Sequence, residues 1–143
     1  MTVREAFDKW TEAFNAHDIG EFADMLADDV VLHAPGGMNG EGKDACAQYF
    51  AGWLGGFPDA HVEVNAVHII GDIAVEEGTF TGTHNGVLHT SAGDIPPTGR
   101  RVTADYIQVN HFRDGKNTYS NLMYDQLEML EQLGLMPTTA SAG

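Results

Sequence analysis

Three things are scarce in this chain: cysteine, basic residues and long apolar runs. With Cys46 as the only cysteine, no intramolecular disulfide can form, and neither a Cys₄ nor a Cys₂His₂ zinc site can be assembled. A reducing compartment fits that usage. Seven Lys and Arg stand against 21 Asp and Glu, a formal charge of −14, and a surface of that sign repels phosphate backbones and anionic lipid headgroups. Nucleic acid and membrane are therefore not expected as partners. No uninterrupted apolar stretch approaches the ~20 residues of a membrane span, and the opening MTVREAFDKW lacks a basic region followed by an apolar run. The expected location is the cytoplasm.

Signatures of several chemistries are also missing. The sequence holds no Gly-x-Ser-x-Gly nucleophile turn, no phosphate-cradling loop and no dinucleotide fingerprint. Its histidines, His17, His33, His61, His68, His84, His89 and His111, include no His-x-x-x-His or His-Glu-x-x-His pair on a helix. Only convergence from separate strand ends, with His33, His84 and His111 as candidates, would make a metal site. None is expected.

What is present is the size and composition of one domain: 143 residues, 43% hydrophobic, with the apolar positions spread along the chain. Thr2 and Glu5 have capping-box spacing, and Val3, Ala6, Phe7, Trp10, Ala13 and Phe14 fall on one helical stripe. Asp18 and Glu21 repeat an acidic cap ahead of a shorter helix carrying Ile19, Phe22 and Leu26. A strand over 29–33 ends at Pro35-Gly36-Gly37. A third helix spans 42–54 and stops at Gly55-Gly56 and Phe57-Pro58-Asp59. From His61 the period changes to two, through 61–67, 73–83, 102–112 and 117–125. Gly71-Asp72 and Asp114-Gly115 mark hairpin turns between these strands. Residues 85–99, with Gly86, Gly93, Gly99, Pro96 and Pro97, read as a long loop or a short strand with a flap over an opening. A short helix over 127–133 and a flexible tail over 136–143 close the chain. Helices segregated from long antiparallel strands imply an α+β domain over residues 1–135. A curved sheet against a few helices leaves a space between the layers that holds a ligand.

Several stretches, in order, carry a family likeness. They are Ala13-Phe14-Asn15-Ala16-His17-Asp18, Phe57-Pro58-Asp59, the run from Gly78 to His84, Pro96-Pro97-Thr98-Gly99-Arg100-Arg101, Phe112-Arg113-Asp114-Gly115-Lys116, and Tyr124-Asp125 with Gln132-Leu133-Gly134-Leu135. The set resembles the SnoaL-like polyketide (ester) cyclases of the nuclear transport factor 2-like superfamily. The resemblance implies a cone-shaped, cystatin-like barrel of curved antiparallel sheet on three N-terminal helices. It implies a homodimer and a small hydrophobic carbonyl-containing substrate. The implied reaction is an intramolecular aldol ring closure run by a pocket carboxylate, with no metal or organic cofactor. The matching position for that carboxylate is Asp125. The fold also hosts isomerases, hydrolases, hydratases and modules that bind a ligand or dimerise without catalysis, and these remain alternatives.

The residues themselves leave Asp125 two roles. One is an acid/base buried beside Leu122, Met123 and Tyr124, where an apolar setting raises a carboxyl pKa toward neutrality. The other is a cap for the helix that follows. A two-residue turn at Asp114-Gly115 pairs Arg113 with Lys116 and so sets Gln108 opposite Asn121 and Tyr106 opposite Met123, on the face of Asp125. Gln108, Asn121 and Tyr106 are then candidates to orient it or to bind a carbonyl. A bulge at the turn would bring Asp105 and His111 there instead. His33 and His84 are candidate donors at the pocket rim. Trp53 and Tyr49 are the aromatic residues expected to reach the cavity from the third helix.

Overall fold

The first helix forms where the chain supplies its own cap. Thr2 Oγ1 accepts from the Glu5 backbone N–H at 3.1 Å, and the Glu5 carboxylate accepts in return from the Thr2 N–H, so amides that a helix start leaves unpaired are satisfied. Helix α1 (Val3–Asn15) then buries Ala6, Phe7, Trp10, Ala13 and Phe14 on one stripe. His17, at φ 58°, turns the chain. Asp18 caps α2 (Ile19–Asp24) by accepting from the Glu21 N–H at 3.0 Å.

The structure is a computed structural model describing residues 1–136; the last seven positions, most of the expected tail, lie outside the described residues. After α2 come β1 (Leu26–His33), β2 (Gly40–Glu41) and α3 (Lys43–Gly56). Then follow β3 (His61–Ile70), β4 (Ile73–Thr83), the small hairpin β5 (Leu88–Thr90) and β6 (Gly93–Ile95), β7 (Arg101–Arg113), β8 (Lys116–Tyr124) and α4 (Gln126–Gln132). The large sheet is ordered β2-β1-β8-β7-β4-β3, and β5 and β6 form a separate pair.

The α+β class stands, with two refinements. The stretch over 85–99, expected as a long loop or a short strand with a flap, contains the β5–β6 hairpin, which packs on α3. Strand β1 starts at Leu26 and runs parallel to β8, whereas the remaining neighbours in the sheet are antiparallel. No turn joins β1 to β8, so nothing local dictates their relative direction, and a pairing between the two ends of the chain is invisible to periodicity. Among the described residues no helix is long and apolar enough to cross a membrane.

The core between helices and sheet has two aromatic clusters. Trp10 stacks on Phe22 with ring centres 5.0 Å apart and meets Phe50 and Phe112 edge-on at 5.6 and 6.1 Å. Trp53 sits 5.4 Å from Phe80 and 5.5 Å from Tyr124. Rings of this size meeting at steep angles fill volume without interlocking as branched aliphatics do. A cavity lies between the clusters.

Candidate active site

Strand β4 turns Ala74, Glu76, Gly78, Phe80 and Gly82 toward the helices, since alternate side chains of a strand share a face. On β7 the matching set is Val102, Ala104, Tyr106, Gln108, Asn110 and Phe112. The register places Gly78 opposite Tyr106, Glu76 opposite Gln108 and Ala74 opposite Asn110. Glu76 is therefore flanked on the diagonals by a phenol and an amide, and both bind it. Tyr106 Oη donates to Glu76 Oε2 at 2.9 Å, and Asn110 Nδ2 donates to Glu76 Oε1 at 3.1 Å.

A chain of buried hydrogen bonds fixes which way Asn110 points. Its Oδ1 accepts from Gln108 Nε2 and from Ser120 Oγ, each at 3.0 Å, and Ser120 Oγ accepts in turn from Asn117 Nδ2 at 3.0 Å. With the oxygen so engaged, only the amide nitrogen is left for Glu76. Asn117, Ser120 and Asn110 are all essentially without exposure, and a satisfied network at such depth holds its members rigidly.

Glu76 itself is 4% exposed. Burial disfavours its charged form and pushes the carboxyl up to about 7, the bonds from Asn110 and Tyr106 pulling the other way. Burial and then the nearby Glu76 charge raise the Tyr106 phenol above its ordinary value, so it remains a donor at neutral pH.

The carboxylate faces a narrow cavity of about 70 Å³. Its walls are the aromatic rings of Trp10, Phe14, Phe50, Trp53, Phe80 and Tyr124, with Thr11, Tyr106 and Gln108 as the other polar groups beside Glu76. The Trp10 indole Nε1 is buried within these walls and has no partner among the described residues.

The sequence-derived candidates divide. Gln108 and Tyr106 line the cavity, as does Trp53, while Tyr49 lines a second chamber on the far side of Trp53. Asp125 and Asn121 require correction. Arg113 does pair with Lys116, but Thr118 is an extra residue in β8, so His111 pairs with Tyr119 and Gln108 with Leu122 rather than with Asn121. Beyond that bulge every β8 side chain changes face relative to the unbulged register. Asn121 consequently sits beside Val109, off the cavity. Asp125 is exposed and caps α4, accepting from the Glu128 N–H at 3.1 Å.

The bulge does bring Asp105 and His111 to the face of Asn121 and Met123, as the alternative register has it, but that face lies outside the cavity. Asp105 accepts from Thr79 Oγ1 on the outer face, and His111 packs against Tyr119 with ring centres 4.7 Å apart. His33 is exposed beside Tyr119, 5.6 Å between ring centres. His84 is buried under Phe57 and bound through Nδ1 to Thr98, at the base of the β5–β6 excursion rather than at the cavity.

Glu76 escaped the sequence reading, although a signal exists. In Ile73 to Gly82 the two strand faces are Ile73/Val75/Glu77/Thr79/Thr81 and Ala74/Glu76/Gly78/Phe80/Gly82. The first looks the more apolar, yet the second is buried. A glutamate in phase with Phe80 and two glycines is the feature to notice, because those glycines leave space over the strand that larger neighbours occupy.

A family model described as a SnoaL-like domain matches residues 7–119. Among solved structures the chain is similar to AclR from Streptomyces galilaeus, a proposed hydroxylase, at 22% identity and TM-score 0.80 over 99% of this chain and 93% of that one. It is similar to IdmH from Streptomyces antibioticus, a proposed polyketide cyclase, at 24% identity and TM-score 0.76 over 94% and 99% of the two chains. An LEH-like epoxide hydrolase from M. tuberculosis matches at 19% identity and TM-score 0.70 over 92% and 88%. Likeness at these identities establishes the fold. No protein of curated function matches the chain.

Proposed function

The chain belongs to the SnoaL-like domain family, and from that premise we propose that it is an acid/base enzyme that transfers protons at carbon next to a carbonyl, with Glu76 as the acid/base group. The observation that carries this reading is a carboxyl pushed up to about 7 inside an aromatic cavity. Such a group is a competent base when ionised and a competent acid once protonated, at one working pH.

In the ring closure expected of a polyketide-type cyclase, Glu76 takes a proton from the carbon between two carbonyls, and the electron pair of that C–H bond moves onto the carbonyl oxygen. The enolate carbon then attacks a second carbonyl carbon of the same molecule, forming the C–C bond. The resulting alkoxide takes the proton back from Glu76. A donor for the enolate oxygen is at hand in the Gln108 amide, and a hydrogen bond held ready where charge develops is worth several kcal/mol to such a step, about 3. Asn110 and Tyr106 are positioning residues in this scheme: they hold the carboxylate and do not meet the substrate's reacting carbon.

The test separates the proton transfer from the ring closure. Hydrogen exchange at the activated carbon of β-keto esters in D₂O, followed by NMR, is expected to be accelerated by the protein and lost in Glu76→Gln. Exchange that survives this substitution would move the acid/base role elsewhere.

A further inference from the structure

The second chamber has no part in the reading above. It holds about 380 Å³ and lies between α3, the 3₁₀ turn Pro35–Gly37 and the β5 strand of the small hairpin. Trp53 and Tyr124 line both chambers, their rings crossing edge-on at 5.5 Å, so this pair is the partition between them. The inner slot, at about 70 Å³, is far below the roughly 300 Å³ at which ligand pockets begin. A substrate with two carbonyl groups and room to fold cannot lie wholly beside Glu76. The outer chamber supplies the missing volume.

The chemistry of the two chambers differs. The inner walls are aromatic, and among the described residues Glu76 is their one charged group. The outer chamber is lined by Asn39, Gln48, His89, Ser91 and Gln126 together with the phenols of Tyr49 and Tyr124, and among the described residues by no Asp, Glu, Lys or Arg. Burial raises both phenols above their ordinary value, which keeps them neutral donors. Neutral amides and hydroxyls recognise hydroxyl, amide or ester groups, and the one imidazole in the wall, His89, already faces the Asp94 carboxylate through Nδ1 at 2.7 Å. Such a wall does not compensate the desolvation of a phosphate or carboxylate, and the charge of −14 opposes an anion further.

We infer that the outer chamber is a second substrate subsite, taking an uncharged polar extension of a molecule whose flat carbonyl end occupies the slot at Glu76, with Trp53 and Tyr124 clasping the junction. The inference rests on the slot being a substrate site. It narrows the substrate class to amphipathic neutral molecules, free of the phosphate of a carrier-bound thioester.

Three probes test it by calorimetric titration of the whole protein: phenol, which has no tail to reach the outer chamber, 4-(4-hydroxybutyl)phenol, which adds a neutral polar tail, and 5-(4-hydroxyphenyl)pentanoate, whose tail is an anion. The neutral tail is expected to tighten binding about tenfold or more over phenol, the equivalent of about 1.4 kcal/mol, and the anionic tail to bring no gain. Gly52 faces the outer chamber with open space where a side chain would sit, so Gly52→Phe is expected to abolish the gain from the neutral tail while leaving phenol binding unchanged. Ser91→Trp fills the same chamber from the opposite wall and gives the same result if the helix substitution impairs folding. Equal affinity for phenol and the neutral-tailed probe, a gain that survives both substitutions, or an anionic tail that binds as well as the neutral one would each overturn the inference. Failure of phenol itself to bind would instead remove the reading of the slot, and the subsite with it.

Discussion

Tyr106 lies over Gly78, its partner on the neighbouring strand, and a Cβ built on that glycine would stand 2.5 Å from the phenol carbon and oxygen. The absent side chain is what lets the ring fold down along β4 and bring its hydroxyl to Glu76. Gly78→Ala is therefore expected to displace the ring, lower melting stability by about 1–3 kcal/mol, and reproduce the pH profile of Tyr106→Phe. Thermal melts and exchange kinetics across pH check both halves.

The pH profile itself follows from the hydrogen bonds to the carboxylate. Proton abstraction requires ionised Glu76, so the rate is expected to rise with pH along a limb centred on the carboxyl at about 7. Tyr106→Phe and Asn110→Leu each remove a donor that favours the anion, and both are expected to move that limb to higher pH. A residue serving only to fill the core would lower the rate and leave the limb in place.

Stability should carry the opposite dependence. In the unfolded chain Glu76 titrates near its ordinary 4.5, whereas in the folded protein it holds its proton to about 7. The folded state therefore binds more protons across that window, and the contribution of this group is present in full below 4.5 and is lost as pH rises through 7, on the order of 3 kcal/mol. Glu76→Gln cannot ionise. Chemical denaturation at pH 4 and pH 8 is expected to show the variant gaining on the natural protein at the higher pH.

Asp125 offers a control on the β8 strand. Because it accepts from the Glu128 N–H at the start of α4, Asp125→Ala is expected to cost about 1 kcal/mol and Asp125→Asn much less, since Asn caps nearly as well. Exchange activity should be the same in both. A loss of activity in Asp125→Asn at full stability would restore the catalytic assignment that the family likeness implies.

The elements of this fold were legible because each depends on its own neighbours. Thr2, Asp18 and the alternation from Ile73 to Thr83 announce their structures within a few residues. Tyr106 and Gln108 do face the cavity, but through the covered face of their own strand β7 and not through the Asp114-Gly115 register, which the extra residue Thr118 breaks. The carboxylate was not legible. Assigning it required knowing which face of β4 is covered, a property of the helices that pack there, and where β8 carries its extra residue, which no local composition marks. Gly78 and Gly82 read as weak strand positions in isolation. Against Tyr106 and Phe57, whose atoms approach within 3 Å of any added Cβ, they are the positions that admit the rings.

The extra residue in β8 has a consequence for how such a site can be rebuilt. Thr118 works as a half-turn of a key: with it, the strand presents Ser120, Leu122 and Tyr124 inward, and without it the same strand would present Tyr119, Asn121 and Met123. One codon lost at that point would exchange a whole row of wall groups at once, leaving Glu76 untouched on its own strand, so the lining of this cavity can be reset in a single step while its buried carboxylate stays where it is.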